Sequence, residues 1–183
     1  MGQYVIGLTG ASGAIYASRL IGHLKGLGHE VLLVASASGV KVAQYEGQAE
    51  LFKQVDKQFD NEDFFAPISS GSYRYSGMII IPCSMGTLGK VALGSGDSLL
   101  TRAADVCLKE GRKLILAPRE TPLSLIHLKN MCALVEAGAK IVPACPHFYH
   151  HPQNLNELVD TVLARILDLL EVEHSVSPRW REN

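Results

Sequence analysis

Short, continuously apolar runs alternate with longer amphipathic segments along this chain, and this alternation limits the folds open to it. Several consecutive apolar residues indicate a strand buried on both faces, whereas apolar residues every three or four positions indicate a helix. We predict strands over 4–8, 30–35, 54–59, 77–81, 113–116 and 139–142, and helices over 14–27, 39–46, 87–93, 98–110, 123–137 and 155–170. This order predicts an α/β fold built on a parallel sheet.

We expect a three-layer, doubly wound sheet of the Rossmann-like or flavodoxin-like type, with helices on both faces. One domain over 1–183 accounts for the whole pattern, and the polar tail over 174–183 is expected to leave its body. Apolar residues make up 47% of the chain, which is enough for a core on each face.

The charge balance excludes some partners. Lys and Arg number 17 against 18 for Asp and Glu, so the net charge of −1 gives no long-range field for nucleic acid or anionic membranes. No apolar run reaches the roughly 20 residues of a membrane span. The four cysteines lack metal-ligand spacing and fit reduced thiols. We therefore predict a cytoplasmic protein with no nucleic acid or membrane partner.

Parallel strands end at one edge of their sheet, and open α/β sheets bind ligands there. The turns predicted at this edge are 9–13, 36–39, 82–87, 118–122 and 143–149. Three of them are small and rich in hydroxyl groups, one carries an adjacent Arg and Glu, and one is aromatic. This profile predicts a phosphate-bearing ligand that lies across the edge.

The first turn favours a mononucleotide. Gly7, Gly10 and Gly13 form G-x-x-G-x-x-G, and Ser12 opens a helix whose amides would attract phosphate. The spacing departs from the dinucleotide fingerprint G-x-G-x-x-G. The second strand also ends without the carboxylate that would bind the ribose of NAD. FMN is therefore preferred to NAD.

Each polar residue at this edge also has a structural interpretation. Ser36, Ser84 and Thr87 can simply cap helices, although three such groups at one edge favour ligand binding. Arg119 and Glu120 can form an ordinary ion pair. Their position between two prolines favours phosphate recognition by the guanidinium group and proton transfer by the carboxylate.

For three further cationic residues, the spacing alone favours an ordinary structural role. Arg165 borders the apolar stripe of the last helix, where a buried stem is the usual role. Arg102 and Lys109 lie on the polar side of their helix, where Asp105 can pair with either. The histidines at 147, 150 and 151 lack a spaced carboxylate or cysteine, so no metal site is predicted.

Seven motifs, in order over nearly the whole chain, resemble those of the UbiX-type flavin prenyltransferases. They are GLTGASG at 7–13, SSGS at 69–72, the segment 77–88 that ends in PCSMGTL, RAADV at 102–106, PRETPLS at 118–124, IHLKNM at 126–131 and PHFY at 146–149. The tail SPRW at 177–180 is similar to the branch that accompanies phenolic or hydroxyaryl acid decarboxylases.

The resemblance implies a prenyltransferase that joins a dimethylallyl group, from dimethylallyl phosphate, to N5 and C6 of reduced FMN. The product, prenylated FMN, would serve a UbiD-type aromatic acid decarboxylase, and the enzyme would be a homododecamer. One alternative is an FMN-dependent cysteine decarboxylase of the same fold, which would carry PASANT where this chain has PCSMGT at 82–87. Another is a non-catalytic, FMN-carrying decarboxylase subunit.

The resemblance also implies residue roles. The residues that would hold FMN are Gly10, Ala11, Ser12, Ser36, Ser84, Met85, Gly86, Thr87 and Arg119. Those that would hold the prenyl phosphate are Tyr149 and Arg165, with Arg102 and Lys109 from a neighbouring subunit. Catalytic roles would fall to Glu120, Ser12 and Lys109, with Glu120 assisting proton transfer.

The sequence departs from the family at the aromatic lining of the prenyl site. Phe64 or Phe65 stands where a tryptophan is common, and Trp180 is the only tryptophan of the chain. His147 stands where Ala is often found.

Overall fold

A six-stranded, fully parallel sheet forms the centre of the protein, and the computed structural model describes residues 1–181. The strands are β1 (Gln3–Leu8), β2 (Glu30–Ala35), β3 (Lys57–Phe59), β4 (Gly77–Cys83), β5 (Lys113–Pro118) and β6 (Lys140–Ile141). The helices are α1 (Ala14–Gly26), α2 (Ala37–Tyr45), α3 (Leu51–Gln54), α4 (Met85–Ala92), α5 (Leu99–Lys109), α6 (Leu125–Glu136) and α7 (Leu155–Leu169). The predicted α/β fold is confirmed.

The strand order β3-β2-β1-β4-β5-β6 makes the sheet doubly wound. The chain moves outward from β1 to β3, crosses back, and then builds β4 to β6 on the other side of β1. This is the Rossmann order, and without the short edge strand β3 it is the flavodoxin order, so both predicted descriptions apply. The order reverses beside β1, which is where such sheets bind ligands.

The two faces of the sheet bury separate apolar cores. Alternate residues of the strands point to opposite faces, so Ile6 packs with α1 and α7 while Val5 packs with α4 and α5. Both residues are fully buried. The predicted layers of helices on both faces therefore follow from central strands that are apolar at almost every position.

The helices next to the sheet edge begin where serine caps them. Ser36 and Ser84 accept hydrogen bonds from the backbone amides of Gly39 and Thr87, so α2 and α4 begin two residues earlier than predicted. Ser124 also caps a helix, and α6 therefore begins two residues later than predicted. The strand predicted over 54–59 is shorter because 51–54 forms α3.

The C-terminal segment packs on the body of the protein. His174 and Arg179 both contact the carboxylate of Asp168, at 3.1 and 2.8 Å. The ring of Trp180 packs edge-on against Tyr149, with centroids 5.1 Å apart. The expectation that the tail leaves the body is therefore wrong for residues 174–180. Residues 182 and 183 of the predicted tail lie outside the described residues.

Within residues 1–181, no helix is long and apolar enough to span a membrane. The four cysteines are free, with Cys83 and Cys107 buried and Cys132 and Cys145 exposed. Burial is the main cause that raises the pKa of the Cys107 thiol to about 12, and burial also raises the pKa of Cys83. The two buried thiols therefore act as small apolar core residues.

Candidate ligand-binding site

A cleft of about 430 Å³ opens at the point where the strand order reverses. Its walls come from the turns after β1, β2 and β4 and from the first turn of α5. Its lining includes six small residues, five of them with hydroxyl groups: Gly10, Ser36, Ser38, Ser84, Thr87 and Thr101. Three of the turns predicted to share one edge therefore do meet there.

Three helices begin at this cleft. Their N-cap residues, Ser36 for α2, Ser84 for α4 and Ser98 for α5, all line it. Each helix N-terminus carries a positive partial charge from its first amides. Because three of them converge with several hydroxyl groups, the cleft suits an anionic group such as phosphate.

The serine hydroxyls have two roles here. Ser36 Oγ accepts the amide of Gly39 at 3.0 Å, and Ser84 Oγ accepts the amide of Thr87 at 3.3 Å. Ser84 also donates to Thr87 Oγ1 at 3.1 Å. A hydroxyl that accepts an amide keeps its own proton, so Ser36 and Thr87 can still donate to a ligand. The capping interpretation is confirmed, and it does not exclude ligand binding.

Glycine lets the first turn approach α2 closely. A Cβ atom at Gly10 would lie 2.6 Å from Cβ of Ser38, which no side chain could accept. Gly86, in contrast, has no atom within 4 Å of its Cβ position. Ala11 and Met85 are buried in the core, with 7% and 8% of their surfaces exposed. Their backbones, not their side chains, are therefore placed to meet a ligand.

Thr9 was not among the predicted site residues, yet it joins two turns of the cleft. Its hydroxyl donates to the carbonyl of Pro82 at 2.7 Å and accepts the amide of Ser84 at 2.8 Å. Thr9 is almost completely buried. Its position between β1 and the glycine-rich turn was the only signal in the sequence.

Glu46, at the end of α2, occupies the N-terminus of α1. Its carboxylate accepts the amides of Gly13 at 3.0 Å and of Ala14 at 2.7 Å. Gly13 has φ 113°, a left-handed conformation that favours glycine. Sequence reasoning assigned these first amides to phosphate, and that interpretation is wrong because a side chain of the protein already binds them.

The carboxylate of Glu46 is held in its charged form. Burial alone would raise its pKa and is the largest single effect, but hydrogen bonds from Ser12, Ala14 and Gly13 lower it. The nearby Arg119 guanidinium lowers it further, and the net shift of the pKa is downward. Nothing in the spacing between 12 and 46 indicated this contact.

Arg119 and Glu120 contact different groups, although the sequence allowed them to pair. Arg119 Nε donates to the carbonyl of Ser12 at 3.0 Å, which joins the turn after β5 to the turn after β1. Glu120 accepts the amide of Thr121 at 3.0 Å, and its side chain is exposed. Ser12, Arg119 and Glu46 thus form a polar cluster next to the cleft.

A second cavity, of about 550 Å³, lies along α7 and contains the two residues predicted to hold the prenyl phosphate. Tyr149 and Arg165 line it together with Asp168, Arg179 and Trp180. Arg165 Nη1 donates to Asp168 Oδ2 at 2.6 Å, and Arg179 donates to Oδ1 of the same carboxylate at 2.8 Å. The C-terminal segment therefore supplies an aromatic ring and a cation that sequence reasoning did not place in the site.

The electrostatics of this cavity favour negative charge. Burial would raise the pKa of Asp168, but hydrogen bonds from Arg179 and His174, and the charges of Arg179 and Arg165, make the net shift downward. The pKa of His147 is lowered, first by burial and then by His150 and Arg165. The lowered pKa of His147 disfavours its charged form, and Arg165 and Arg179 bring two guanidinium groups to the cavity.

The two cavities share no lining residue. The cleft borders α2, α4 and α5, whereas the second cavity borders α7. Arg102 and Lys109 line neither cavity. Arg102 pairs with Asp105 at 2.8 Å, and Lys109 pairs with Glu110. The structure of one chain therefore separates Tyr149 and Arg165 from the cleft, whereas Arg102 and Lys109 were expected to come from a neighbouring subunit.

The aromatic candidates are exposed. Phe64 and Phe65 have 43% and 99% of their surfaces accessible to solvent, and neither lines the cleft or the second cavity. Within residues 1–181, no group of three or more His, Cys, Asp or Glu side chains could hold a metal ion.

The doubly wound sheet, with a hydroxyl-lined cleft at its reversal point, is typical of an α/β protein of the flavoprotein type. The Flavoprotein family model matches residues 2–167, and the chain belongs to that family. Flavin prenyltransferase UbiX of Halalkalibacterium halodurans is 45% identical in an alignment of 194 positions, which covers 99% of this chain and 94% of the relative. Within the flavoproteins, the chain is a member of the UbiX-type flavin prenyltransferases, as its motifs predicted.

Solved structures agree. AnUbiX (PadA1), in complex with FMN and dimethylallyl pyrophosphate, has a TM-score of 0.94 at 39% identity, covering 98% of this chain and 97% of that one. A dodecameric FMN-dependent UbiX-like decarboxylase from Escherichia coli O157:H7 also has a TM-score of 0.94, at 43% identity and 98% and 99% coverage. The peptidyl-cysteine decarboxylase EpiD, at 21% identity and a TM-score of 0.66, shares the fold alone. The cysteine decarboxylase alternative is therefore not favoured.

Proposed function

We propose that this protein is a flavin prenyltransferase that joins a dimethylallyl group to N5 and C6 of reduced FMN and so makes prenylated FMN. The observation that carries the proposal is the cleft, where three helix N-termini and a row of hydroxyl groups converge at the reversal point of a flavoprotein sheet. The relatives that match almost the whole chain carry this activity in their names.

The phosphate of FMN fits the hydroxyl-lined cleft. Ser36, Thr87 and the backbone of Gly86 supply donors, and Gly10 lets the first turn come close enough to α2 to close one wall. These donors lie at the first turns of α2 and α4, which hold them in place, so phosphate binding requires little reorganisation. Bound reduced FMN supplies the nucleophilic atoms of the reaction.

The polar cluster beside the cleft fits the ring of the flavin. Arg119 is held by the carbonyl of Ser12, and Ser12 in turn donates to the charged carboxylate of Glu46. Glu120 projects from the same turn as Arg119 and is exposed, so its carboxylate is free to move a proton at the flavin or at the departing phosphate. Ser12 and Glu120 are the proposed catalytic residues from this cluster.

The second cavity fits the prenyl phosphate. Arg165 and the hydroxyl of Tyr149 would bind the phosphate, with Arg179 nearby, while the ring of Trp180 faces the same space. An allylic phosphate leaves as an anion, so cations stabilise the departing group and aromatic faces stabilise the positive charge left on carbon. Arg165 can exchange Asp168 for phosphate because 62% of its side chain is exposed.

A neighbouring subunit would complete the site. The cleft and the second cavity are separate in one chain, and Arg102 and Lys109 lie outside both. Helix α6 presents exposed apolar side chains and buries only Leu134, which supports an extensive contact between copies. We therefore propose a homododecamer in which Arg102 and Lys109, the latter with a catalytic role, reach the prenyl phosphate of a neighbour.

The product would be handed to a decarboxylase. Prenylated FMN is the cofactor expected for a UbiD-type enzyme, and the SPRW tail favours one that acts on phenolic or hydroxyaryl acids. Because the reaction consumes reduced flavin and the cysteines are unpaired, we place the protein in the reducing environment of the cytoplasm.

Anaerobic incubation of the protein with reduced FMN and dimethylallyl phosphate tests the function. Mass spectrometry of the extracted flavin should detect FMN heavier by one prenyl unit, and heat-inactivated protein should give none. Unchanged FMN from native protein, with dimethylallyl pyrophosphate as well as the monophosphate, would reject the enzyme. A non-catalytic flavin carrier would then explain any FMN that stays bound.

A further inference from the structure

We propose that Lys90 is a phosphate-binding cation of the hydroxyl-lined cleft and that Asp97 is its alternative partner. This inference rests on the proposed function, because it assigns the phosphate of FMN to that cleft. Lys90 lies on α4 and Asp97 lies in the loop before α5, and both line the cleft.

The charges of the cleft call for this assignment. Among the described residues that line it, Lys90 is the single lysine or arginine, whereas Glu62 and Asp97 bring two carboxylates. A phosphate monoester carries a charge of about −1.5 to −2 at neutral pH, because its second pKa is roughly 6. Helix N-termini contribute only partial charges of about half a unit each. Lys90 therefore brings the one full positive charge among the described residues of this lining, which offsets part of the charge of the phosphate.

The geometry of α4 lets Lys90 reach the phosphate end of the cleft. Lys90 follows Gly86 by four residues, so both lie on one face of the helix, about 6 Å apart along its axis. Helical side chains tilt toward the N-terminus, which directs Lys90 back over Gly86. The Cβ position of Gly86 has no atom within 4 Å, so the path is open.

Asp97 holds Lys90 close to this position through an ion pair that is easily exchanged. Lys90 Nζ lies 2.7 Å from Asp97 Oδ2, and about half of each side chain is exposed, at 54% and 47%. Asp97 Oδ1 accepts the hydroxyl of Thr101 at 3.2 Å, so the carboxylate keeps a partner when the lysine leaves. Exposed ion pairs contribute little stability, so the exchange for a phosphate dianion is favourable.

The test compares two flavins that differ by the phosphate. Full-length protein freed of flavin is titrated with FMN and with riboflavin, and fluorescence gives the two dissociation constants. Lys90→Met should weaken FMN binding about tenfold and leave riboflavin binding unchanged, because riboflavin has no phosphate. Lys90→Arg should keep most of the affinity for FMN. Asp97→Asn should tighten FMN binding a few-fold by removing the competing carboxylate.

Lys53→Met is the matched control, because Lys53 forms an exposed ion pair with Glu50 on α3, away from both cavities. It should change neither constant. If Lys90→Met weakens both flavins equally, or neither, the inference is overturned while the proposed function stands. If the unaltered protein binds neither flavin, the proposed function itself fails.

Discussion

Asp160 joins the two helices that carry the separate halves of the proposed site. It lies on α7 with only 9% of its side chain exposed, and it accepts two hydrogen bonds from Arg19 of α1. His23 Nε2, one turn further along α1, lies 2.9 Å from Asp160 Oδ1. Helix α1 starts at the turn of Ser12, and α7 carries Arg165. Asp160→Asn therefore tests how firmly the two helices are held together.

The expected loss of stability is about 2 kcal/mol. Breaking a fully buried ion pair costs about 3–5 kcal/mol because one charge stays buried without a partner. The cost is smaller here, since 26% of the Arg19 side chain is exposed and the Asn oxygen can still accept one hydrogen bond. For a chain of this size, about 2 kcal/mol corresponds to a fall of about 4–8 °C in the melting temperature.

The assay is thermal unfolding at one protein concentration, because association of subunits also contributes to apparent stability. Burial would raise the pKa of Asp160 and is the largest single effect, but Arg19 and His23 lower it, and the net shift is downward. A lowered pKa stabilises the fold above the ordinary value of 3.8 and loses this effect as the pH falls through the folded value. The difference between the two proteins should therefore be constant near pH 7 and close below about pH 3.8.

A double-mutant cycle with Arg19→Met isolates the pair. The coupling energy should exceed about 1 kcal/mol, whereas Glu50→Gln, which breaks an exposed ion pair, should change stability by less than about 0.5 kcal/mol. A coupling near zero, or a difference from Asp160→Asn that persists unchanged below pH 3, would refute the argument that the buried carboxylate holds α1 to α7.

Two other substitutions test the cluster beside the cleft. Glu120→Gln should retain FMN but lose turnover, because the amide cannot take up a proton. Flavin fluorescence and product mass spectrometry separate the two effects, and full turnover would remove Glu120 from the mechanism. Glu46→Gln should lower stability by about 1 kcal/mol at pH 7, since an amide has neither the negative charge nor the second accepting oxygen that the carboxylate offers to Gly13. Its pKa is lowered, so in thermal melts this loss should shrink as the pH falls from about 4.5 through the lower pKa of the folded state, with the exposed Glu136→Gln as control.

The sequence predicted the fold well because the strands are apolar at almost every position. β2 was predicted with its exact bounds, and the serines that begin α2 and α4 were recognised as caps. The three turns that form the cleft were recognised because parallel strands must end at one edge. Local periodicity and turn chemistry are sufficient for such features.

Contacts between distant segments could not be predicted from the sequence. Glu46 binds the amides of Gly13 across 33 positions, and α2 has no periodic feature that directs its last turn to α1. Trp180 reaches Tyr149 because the segment after α7 turns back along it, which polar composition alone did not reveal. These contacts depend on how the helices pack. They shape the proposed site, but no local pattern in the sequence indicates them.

The second cavity shows why the arrangement of several chains matters for the chemistry. Once an allylic phosphate departs, water competes with the flavin for the positive carbon, so the second cavity, as the proposed prenyl site, would have to exclude solvent. In one chain the two aromatic rings of this cavity, Tyr149 and Trp180, leave 65% and 63% of their surfaces exposed. These rings can protect the carbon only when another surface covers them. A neighbouring copy that supplies Lys109 would also supply that cover, so assembly would decide whether the prenyl group reaches flavin or water.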